Sequence, residues 1–232
     1  MTVIKNAALR RAIKITVPFV LIPGIVILGA VVFNEKRYAW ISLAVAALSI
    51  ILFCAGFEKK TVGTRRLVII AVMTAMSVVG RLIFALIPGF KPITAIVVIT
   101  AVWLGGESGF LVGALSALIS NFTFGQGPWT PFQMLAWGMI GLLAGFLSAP
   151  LRKSRAALAV YGVFAGVAYS FIMDVWTVLW YQGTFSLPMY LAALGTAVPY
   201  TVSYAVSNVV FLLLLGRPFG EKLERVKLKY GV

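Results

Sequence analysis

Apolar runs follow one another along almost the whole chain, and that pattern leaves few folds open. Of the 232 residues, 61% are apolar and 11% are charged. Backbone N–H and C=O groups in lipid have no water to bond, so repeated runs of this length must be helices packed into a bundle. The expected fold is all-α, a polytopic membrane helical bundle. Histidine is absent and Cys54 is the single cysteine, which disfavours metal clusters, disulfide frameworks and most nucleophilic catalysis. No Gly-x-x-x-x-Gly-Lys-Ser/Thr loop is present, so the chain is not itself an ATPase. The formal charge of +14 sits in short segments between apolar runs. That is a topology signal; no basic groove with interleaved aromatics suggests a nucleic-acid partner.

The order of the runs predicts eight spans. Met1 to Lys14 is a basic amphipathic arm, and Ile15–Phe33 is the first span, bent near its start by Pro18 and Pro23. Its length, and the lack of a small-x-small cleavage site after it, argue against a secretory signal. Asn34-Glu35-Lys36-Arg37 connects it to the second span, Tyr38–Phe57. Glu58 to Arg66 carries Lys59, Lys60, Arg65 and Arg66 and marks the clearest boundary. Residues 1–64 thus comprise the arm, a two-helix hairpin and a cytoplasmic linker; 65–216 form a six-helix core, and 217–232 a basic tail. The core spans are Leu67–Ile87, Pro92–Leu104, Gly109–Phe124, Phe132–Ala149, Ala157–Tyr181 and Pro188–Leu215. The second and third of these are short for a ~30 Å hydrocarbon core at ~1.5 Å per residue, and a re-entrant pair is the alternative. Pro199 is a candidate kink in the last.

Charge sets the orientation. Sixteen of the 20 Lys and Arg fall in the arm, the linker, Leu151–Arg155 and the tail, whereas the opposite loops hold only Lys36, Arg37 and Lys91. The positive-inside rule places both termini in the cytoplasm and the loop Phe124-Gly125-Gln126-Gly127-Pro128-Trp129-Thr130-Pro131-Phe132-Gln133 outside.

Three ionisable residues fall within or beside the later spans: Arg81, Glu107 and Asp174. A charge near mid-bilayer costs ~2.5–3.5 kcal/mol on insertion scales, so such groups turn toward a bundle interior or a cavity. By residue count Arg81 and Asp174 lie at matching depths, roughly 10 Å below the outer surface. They are expected to pair with each other or to line one pocket. Glu107, in the turn Gly105-Gly106-Glu107-Ser108, reads as solvated or near a helix N-terminus. Polar and aromatic residues gather at the outer helix ends: Lys91, Asn121, Gln126, Trp129, Gln133, Trp176, Trp180, Tyr181, Gln182 and Tyr190. An interfacial aromatic belt accounts for part of this. The three amides Asn121, Gln126 and Gln133 point further, to a small-molecule pocket with aromatic walls. Small residues recur four apart at Ala71/Ala75, Gly109/Gly113, Gly141/Gly145 and Gly162/Gly166. The glycine pairs predict internal helix packing, and the alanine pair is also suited to facing another subunit.

From Arg65 onward the chain resembles the substrate-binding S components of energy-coupling factor (ECF) transporters, which import vitamins. The likeness rests on four ordered features: Ala71-x-x-x-Ala75; the run from Arg81 through Pro88 to Lys91-Pro92; the Gly105-Gly106 and Gly109/Gly113 helix pair; and the Gly125–Gln133 loop leading to Gly138 and Gly141. The first two spans are additional to the six-helix core of that family. The resemblance implies a substrate-binding transport subunit and not an enzyme, with a transmembrane coupling subunit and two cytoplasmic ATPases as partners that use ATP. It implies docking through Ala71 and Ala75 and a ligand covered by Pro88–Lys91, Gly125–Pro131 and Gln182–Leu187. The Gly-Pro-Trp-Thr-Pro loop looks like the cobalamin group of the family. Taken together, the candidate substrate-binding residues are Arg81, Lys91, Asn121, Gln126, Trp129, Gln133, Asp174, Trp180, Tyr181 and Gln182, with no cofactor. The alternatives are an S component for another vitamin, a stand-alone secondary carrier, which would show coupling carboxylates or an inverted repeat, and a scaffold.

The orientation is testable directly. In a Cys54→Ala background, a membrane-impermeant maleimide added outside should modify a cysteine placed at Gln126 and spare one placed at Lys60. The opposite pattern would invert the topology.

Overall fold

Every regular element among the described residues of the computed structural model is helical. The description covers residues 6–32, 38–55 and 63–230. Lys36 and Arg37 of the first connection, and Lys59 and Lys60 of the linker, lie outside them.

Asn6 caps helix α1, Ala7–Thr16, by accepting from the Ala8 and Leu9 N–H groups. The chain continues through a π-helical turn at Val17–Leu21 into α2, Ile22–Val32. Pro18 lies in that turn, where its missing N–H requires no partner in a regular α-helical ladder. Residues 7–32 are thus one continuous helical rod. Helix α3, Tyr38–Ala55, returns along it. Helix α4 spans Gly63–Ile83, so Arg65 and Arg66 are already helical and Arg81 stands in its last turn. Helices α5, Ile93–Leu104, and α6, Gly106–Phe124, meet at Gly105, whose φ of 97° suits glycine. Helix α7 is Trp129–Phe146, followed by the short α8, Ser148–Lys153. Helices α9, Arg155–Gln182, and α10, Leu187–Tyr230, complete the bundle.

Among the described residues, five helices are long and apolar enough to cross a membrane: Ala7–Val32, Tyr38–Ala55, Arg65–Ile83, Arg155–Gln182 and Leu187–Lys229. With α5, α6 and α7, eight rods follow one another in the expected order. Helix α5 is the exception in length. All 12 of its residues are buried, and at ~1.5 Å per residue it is roughly 18 Å long. It sits at the centre of the core against α4, α6, α7 and α10, so protein rather than lipid surrounds its ends. Two arginines satisfy the carbonyls at its C-terminus: Arg66 donates to Leu104 O, and Arg152 to Val102 O at 2.7 Å. Lys14 pairs with Glu107 at 2.7 Å in the first turn of α6. Gly220 of α10 lies against Trp103. Lys14, Arg66, Arg152 and Gly220, one from each basic segment, therefore converge on one end of the bundle, around the α5–α6 turn. Helix α10 is a single helix of 44 residues that contains Pro199 and Pro218 and runs on through the residues expected to form a separate tail.

Glycines set the closest helix approaches. A Cβ on Gly113 would stand 2.6 Å from the Trp137 backbone carbonyl, and one on Gly141 would stand 2.6 Å from the Gly109 carbonyl carbon. On the other side of the bundle, Gly166 meets the Ala205 backbone in the same way. The glycine pairs are thus internal seams between α6 and α7 and between α9 and α10. Ala71 and Ala75 differ: both are exposed on α4, on a face shared with Leu67, Val68 and Val72.

Overpacking such a seam costs about 1–3 kcal/mol. Gly113→Ala should lower the melting temperature of the purified protein clearly. Gly195→Ala, where a Cβ would meet nothing within 4 Å, should leave it unchanged or slightly raised. Equal melting of the two variants would remove the seam argument.

Candidate functional site

Arg81 organises the outer end. It is 7% exposed, so its guanidinium must find acceptors within the protein. Its Nη1 donates to Ser120 Oγ and, at 2.8 Å, to Asn121 Oδ1 on α6. The Asn121 amide nitrogen in turn donates to Thr130 Oγ1 at 2.9 Å and to Gln133 Oε1 at 2.8 Å. Gln133 Nε2 continues the chain to the Tyr169 hydroxyl at 3.2 Å. Four helices, α4, α6, α7 and α9, are thereby joined by one hydrogen-bonded line.

A cavity of about 100 Å³ opens beside this line. Its polar lining includes Arg81, Lys91, Thr94, Gln133 and Asn208, and its aromatic wall is Trp137, Tyr169 and Tyr204. The Trp137 and Tyr169 rings are stacked, 4.9 Å between centroids at 24°. Tyr204 meets Tyr169 edge-on at 5.0 Å. The Arg81 guanidinium lies over the Trp137 ring at 5.2 Å and the Phe124 ring at 4.5 Å, a favourable cation–π placement for a desolvated charge. With Nη1 engaged, the other donors of the planar fork remain available to acceptors in the cavity. No carboxylate is among the described lining residues. The site therefore suits a planar, neutral or anionic molecule rich in carbonyl or ring-nitrogen acceptors.

The rim is the loop before α5. Gly89 has a φ of 71°, and Ser203 Oγ donates to Pro88 O at 2.9 Å. Ser207 Oγ accepts from the Lys91 N–H at 2.8 Å and donates to the Lys91 carbonyl at 3.0 Å. These bonds fasten the loop to α10. The Lys91 ammonium faces the Phe124 ring at 5.1 Å. Burial first, and then the charge of Arg81, push it below the ordinary lysine range.

The residues singled out from sequence fall into three groups. Arg81, Lys91 and Gln133 line the cavity, and Asn121 stands behind it with its amide wholly engaged. Gln126 and Trp129 build the support. Gln126 donates to Leu118 O at 2.7 Å and accepts from Thr130 at 3.0 Å, and Trp129 stands edge-on to Trp176 at 5.9 Å. Trp180, Tyr181 and Gln182 are exposed at the end of α9. The polar loop is shorter than expected, because α7 begins at Trp129 and takes Thr130, Pro131 and Gln133 into its first turns. Proline is tolerated there because those N–H groups have no intrahelical partner.

The expected pairing of Arg81 with Asp174 is corrected. No salt bridge joins them among the described residues, and Asp174 is not part of the cavity lining. Arg81 faces α6, whose hydroxyl and amide oxygens satisfy it without a counter-charge. Asp174 is 8% exposed, and its Oδ2 has no hydrogen-bond partner among the described residues. Sequence reasoning missed Thr94, Trp137, Tyr169, Tyr204 and Asn208. Trp137 follows the nominated Gln133 by four residues, so helical spacing could have extended the site one turn deeper on α7; nothing comparable pointed to Tyr204 and Asn208.

A helical bundle of this form, with a polar and aromatic cavity at the end opposite the α5–α6 turn, fits a small-molecule-binding membrane subunit. The family model of the S component of ECF-type riboflavin transporters matches residues 61–225. The chain belongs to that family: it is a multi-pass, vitamin-binding, substrate-specific subunit of an ECF transporter, a transport subunit and not an enzyme. No curated protein and no solved structure matched the chain.

Because Asn121 spends its whole side chain on neighbours, it acts through Arg81 and Gln133. Asn121→Leu should leave Arg81, Thr130 and Gln133 each short of a partner and cost about 1–3 kcal/mol, read as a lower melting temperature together with weaker ligand capture. Wild-type values for both would show that the line is dispensable.

Proposed function

We propose that the ligand is a flavin, riboflavin being the candidate that the family's name supplies, and that it binds in the cavity between Arg81 and Tyr169. The observation that carries this reading is the stacked Trp137–Tyr169 pair beside a row of amide and guanidinium donors. An isoalloxazine is a flat tricycle with carbonyl and ring-nitrogen acceptors along one edge. Aromatic rings cover its face, and Arg81, Gln133 and Asn208 suit its edge. Thr94, Lys91 and the loop at Gly89 then stand where a hydroxylated chain would leave the ring.

Cobalamin, suggested by the Gly-Pro-Trp-Thr-Pro loop, is the second reading. A corrin with its amide arms is several times bulkier than a flavin, and it would require a larger expansion of the cavity of about 100 Å³, itself below the roughly 300–1,000 Å³ usual for ligand sites. Capture of either ligand requires the outer loops to yield, with Pro88–Lys91 as the segment fastened most simply, by serine hydroxyls.

Transport then depends on partners. A transmembrane coupling subunit would dock on the Ala71–Ala75 face of α4, which is exposed and lies far from the cavity, and two cytoplasmic ATPases would supply the energy from ATP. The purified subunit should quench riboflavin fluorescence on titration. Gln133→Ala and Trp137→Leu, checked for folding, should weaken binding roughly five- to 150-fold, the equivalent of ~1–3 kcal/mol. Trp129→Ala should weaken it less, by loss of support. Capture of cobalamin with no response to riboflavin would replace the flavin reading. Ala71→Trp should leave riboflavin binding by the isolated subunit intact while abolishing uptake in cells; loss of binding instead would move the docking face elsewhere.

A further inference from the structure

The N-terminal hairpin, residues 7–55, precedes the 61–225 segment that matches the family, and its contacts assign it a task. At the inner end Lys14 holds Glu107 at 2.7 Å, and the Phe53 ring lies 5.6 Å from the Arg66 guanidinium. Arg66 itself donates to Ser108 Oγ at 2.7 Å. Along its length α3 packs on α6 and α7, with Ile41, Val45, Leu52 and Phe53 buried. At the outer end Gly29, Tyr38 and Ile41 share a small cleft with Pro128, Pro131 and Phe132. Those last three residues flank and form the first turn of α7, which presents Thr130 and Gln133 to Asn121. Helices α6 and α7, which carry the amide cluster, are therefore held by the hairpin at both ends. The Ala71–Ala75 face of α4 stays exposed.

We propose that the hairpin is a buttress: through Ile41 and Tyr38 it fixes the first turn of α7 and thereby sets how tightly the core holds its ligand, without taking part in docking. The physical reason lies in the turn itself. The first N–H groups of any helix lack an intrahelical partner, so the turn is held by side-chain bonds, Thr130 to Gln126 and Asn121 to Thr130, and by packing from outside, where Phe132 is 3% exposed. Ile41 is the positioning residue. It lines the cleft beside that turn, whereas Val45, one helical turn deeper on α3, does not.

The test uses the full-length protein and hydrogen exchange read by mass spectrometry over residues 127–134, a measurement that needs no ligand. Ile41→Ala should raise exchange there at least about five-fold while α4 and α9 keep wild-type exchange, and Ile41→Val should stay near wild type. Gly29→Ala, whose methyl would meet the Ile41 side chain, is a second variant should Ile41→Ala not fold, and it should raise exchange in the same segment. Val45→Ala should lower the melting temperature and leave the segment unchanged. The idea is overturned if exchange over 127–134 is unaltered in Ile41→Ala and Gly29→Ala, or if Val45→Ala moves it as much. The affinity part rests on the flavin reading above: Ile41→Ala should weaken riboflavin binding at least about five-fold and Val45→Ala should not. A wild-type protein that ignores riboflavin would count against that ligand alone, since the exchange pattern decides the buttress independently.

Discussion

A guanidinium buried in a membrane bundle has to be surrounded by acceptors, and much of the outer architecture is the set of acceptors around Arg81. Removing such a charge from water costs several kcal/mol unless hydrogen bonds replace the lost hydration. Ser120 and Asn121 provide them from α6, which requires α6 to lie alongside α4 with that stripe facing it. Asn121 then needs partners of its own, and finds them in Thr130 and Gln133 of α7. Each satisfied group specifies the next, until Tyr169 closes the line on α9. Such a network is rigid when complete, and the cavity inherits that rigidity along one wall.

The inner end solves a different problem. A 12-residue helix buried on all sides exposes its last carbonyls inside the protein, and unpaired carbonyls there are costly. Arg66 and Arg152 supply the missing donors, and their positive charge also suits the negative end of the α5 dipole. The residues that orient the chain by the positive-inside rule thus include two that cap its central helix. Glycine seams complete the design. Because Gly109, Gly113 and Gly141 let backbones approach closely, α6 and α7 meet along their length, and the two ends remain in fixed relation.

The fold was legible because lipid enforces it. Long apolar runs, prolines between them and the uneven placement of sixteen basic residues carry the all-α character, the order of eight rods and the convergence of the basic segments at one end. The glycine pairs read correctly as internal seams for the same reason: removing bulk along one helical stripe has a local signature. The four ordered motifs also placed the chain among ECF S components, as the match over 61–225 affirms. Arg81, Lys91 and Gln133 could be nominated for the site because a polar group in an apolar run has few places to go.

What the tertiary structure decided is which polar groups meet. Equal depth suggested that Arg81 and Asp174 would pair, but depth says nothing of azimuth, and Arg81 turns instead to Ser120 and Asn121 of α6. Trp180, Tyr181 and Gln182 share the outer level with the cavity yet are exposed at the end of α9. Trp137, Tyr169 and Tyr204 read as ordinary apolar-run aromatics until three helices bring their rings together. The placement of the N-terminal hairpin beside the first turn of α7 likewise emerges only in three dimensions, where Tyr38 and Ile41 share a cleft with Pro128, Pro131 and Phe132. Hydropathy and charge act residue by residue and survive in one dimension. The rotation of each helix about its axis is set by packing and hydrogen bonding between distant segments, and it exists only once the bundle has closed.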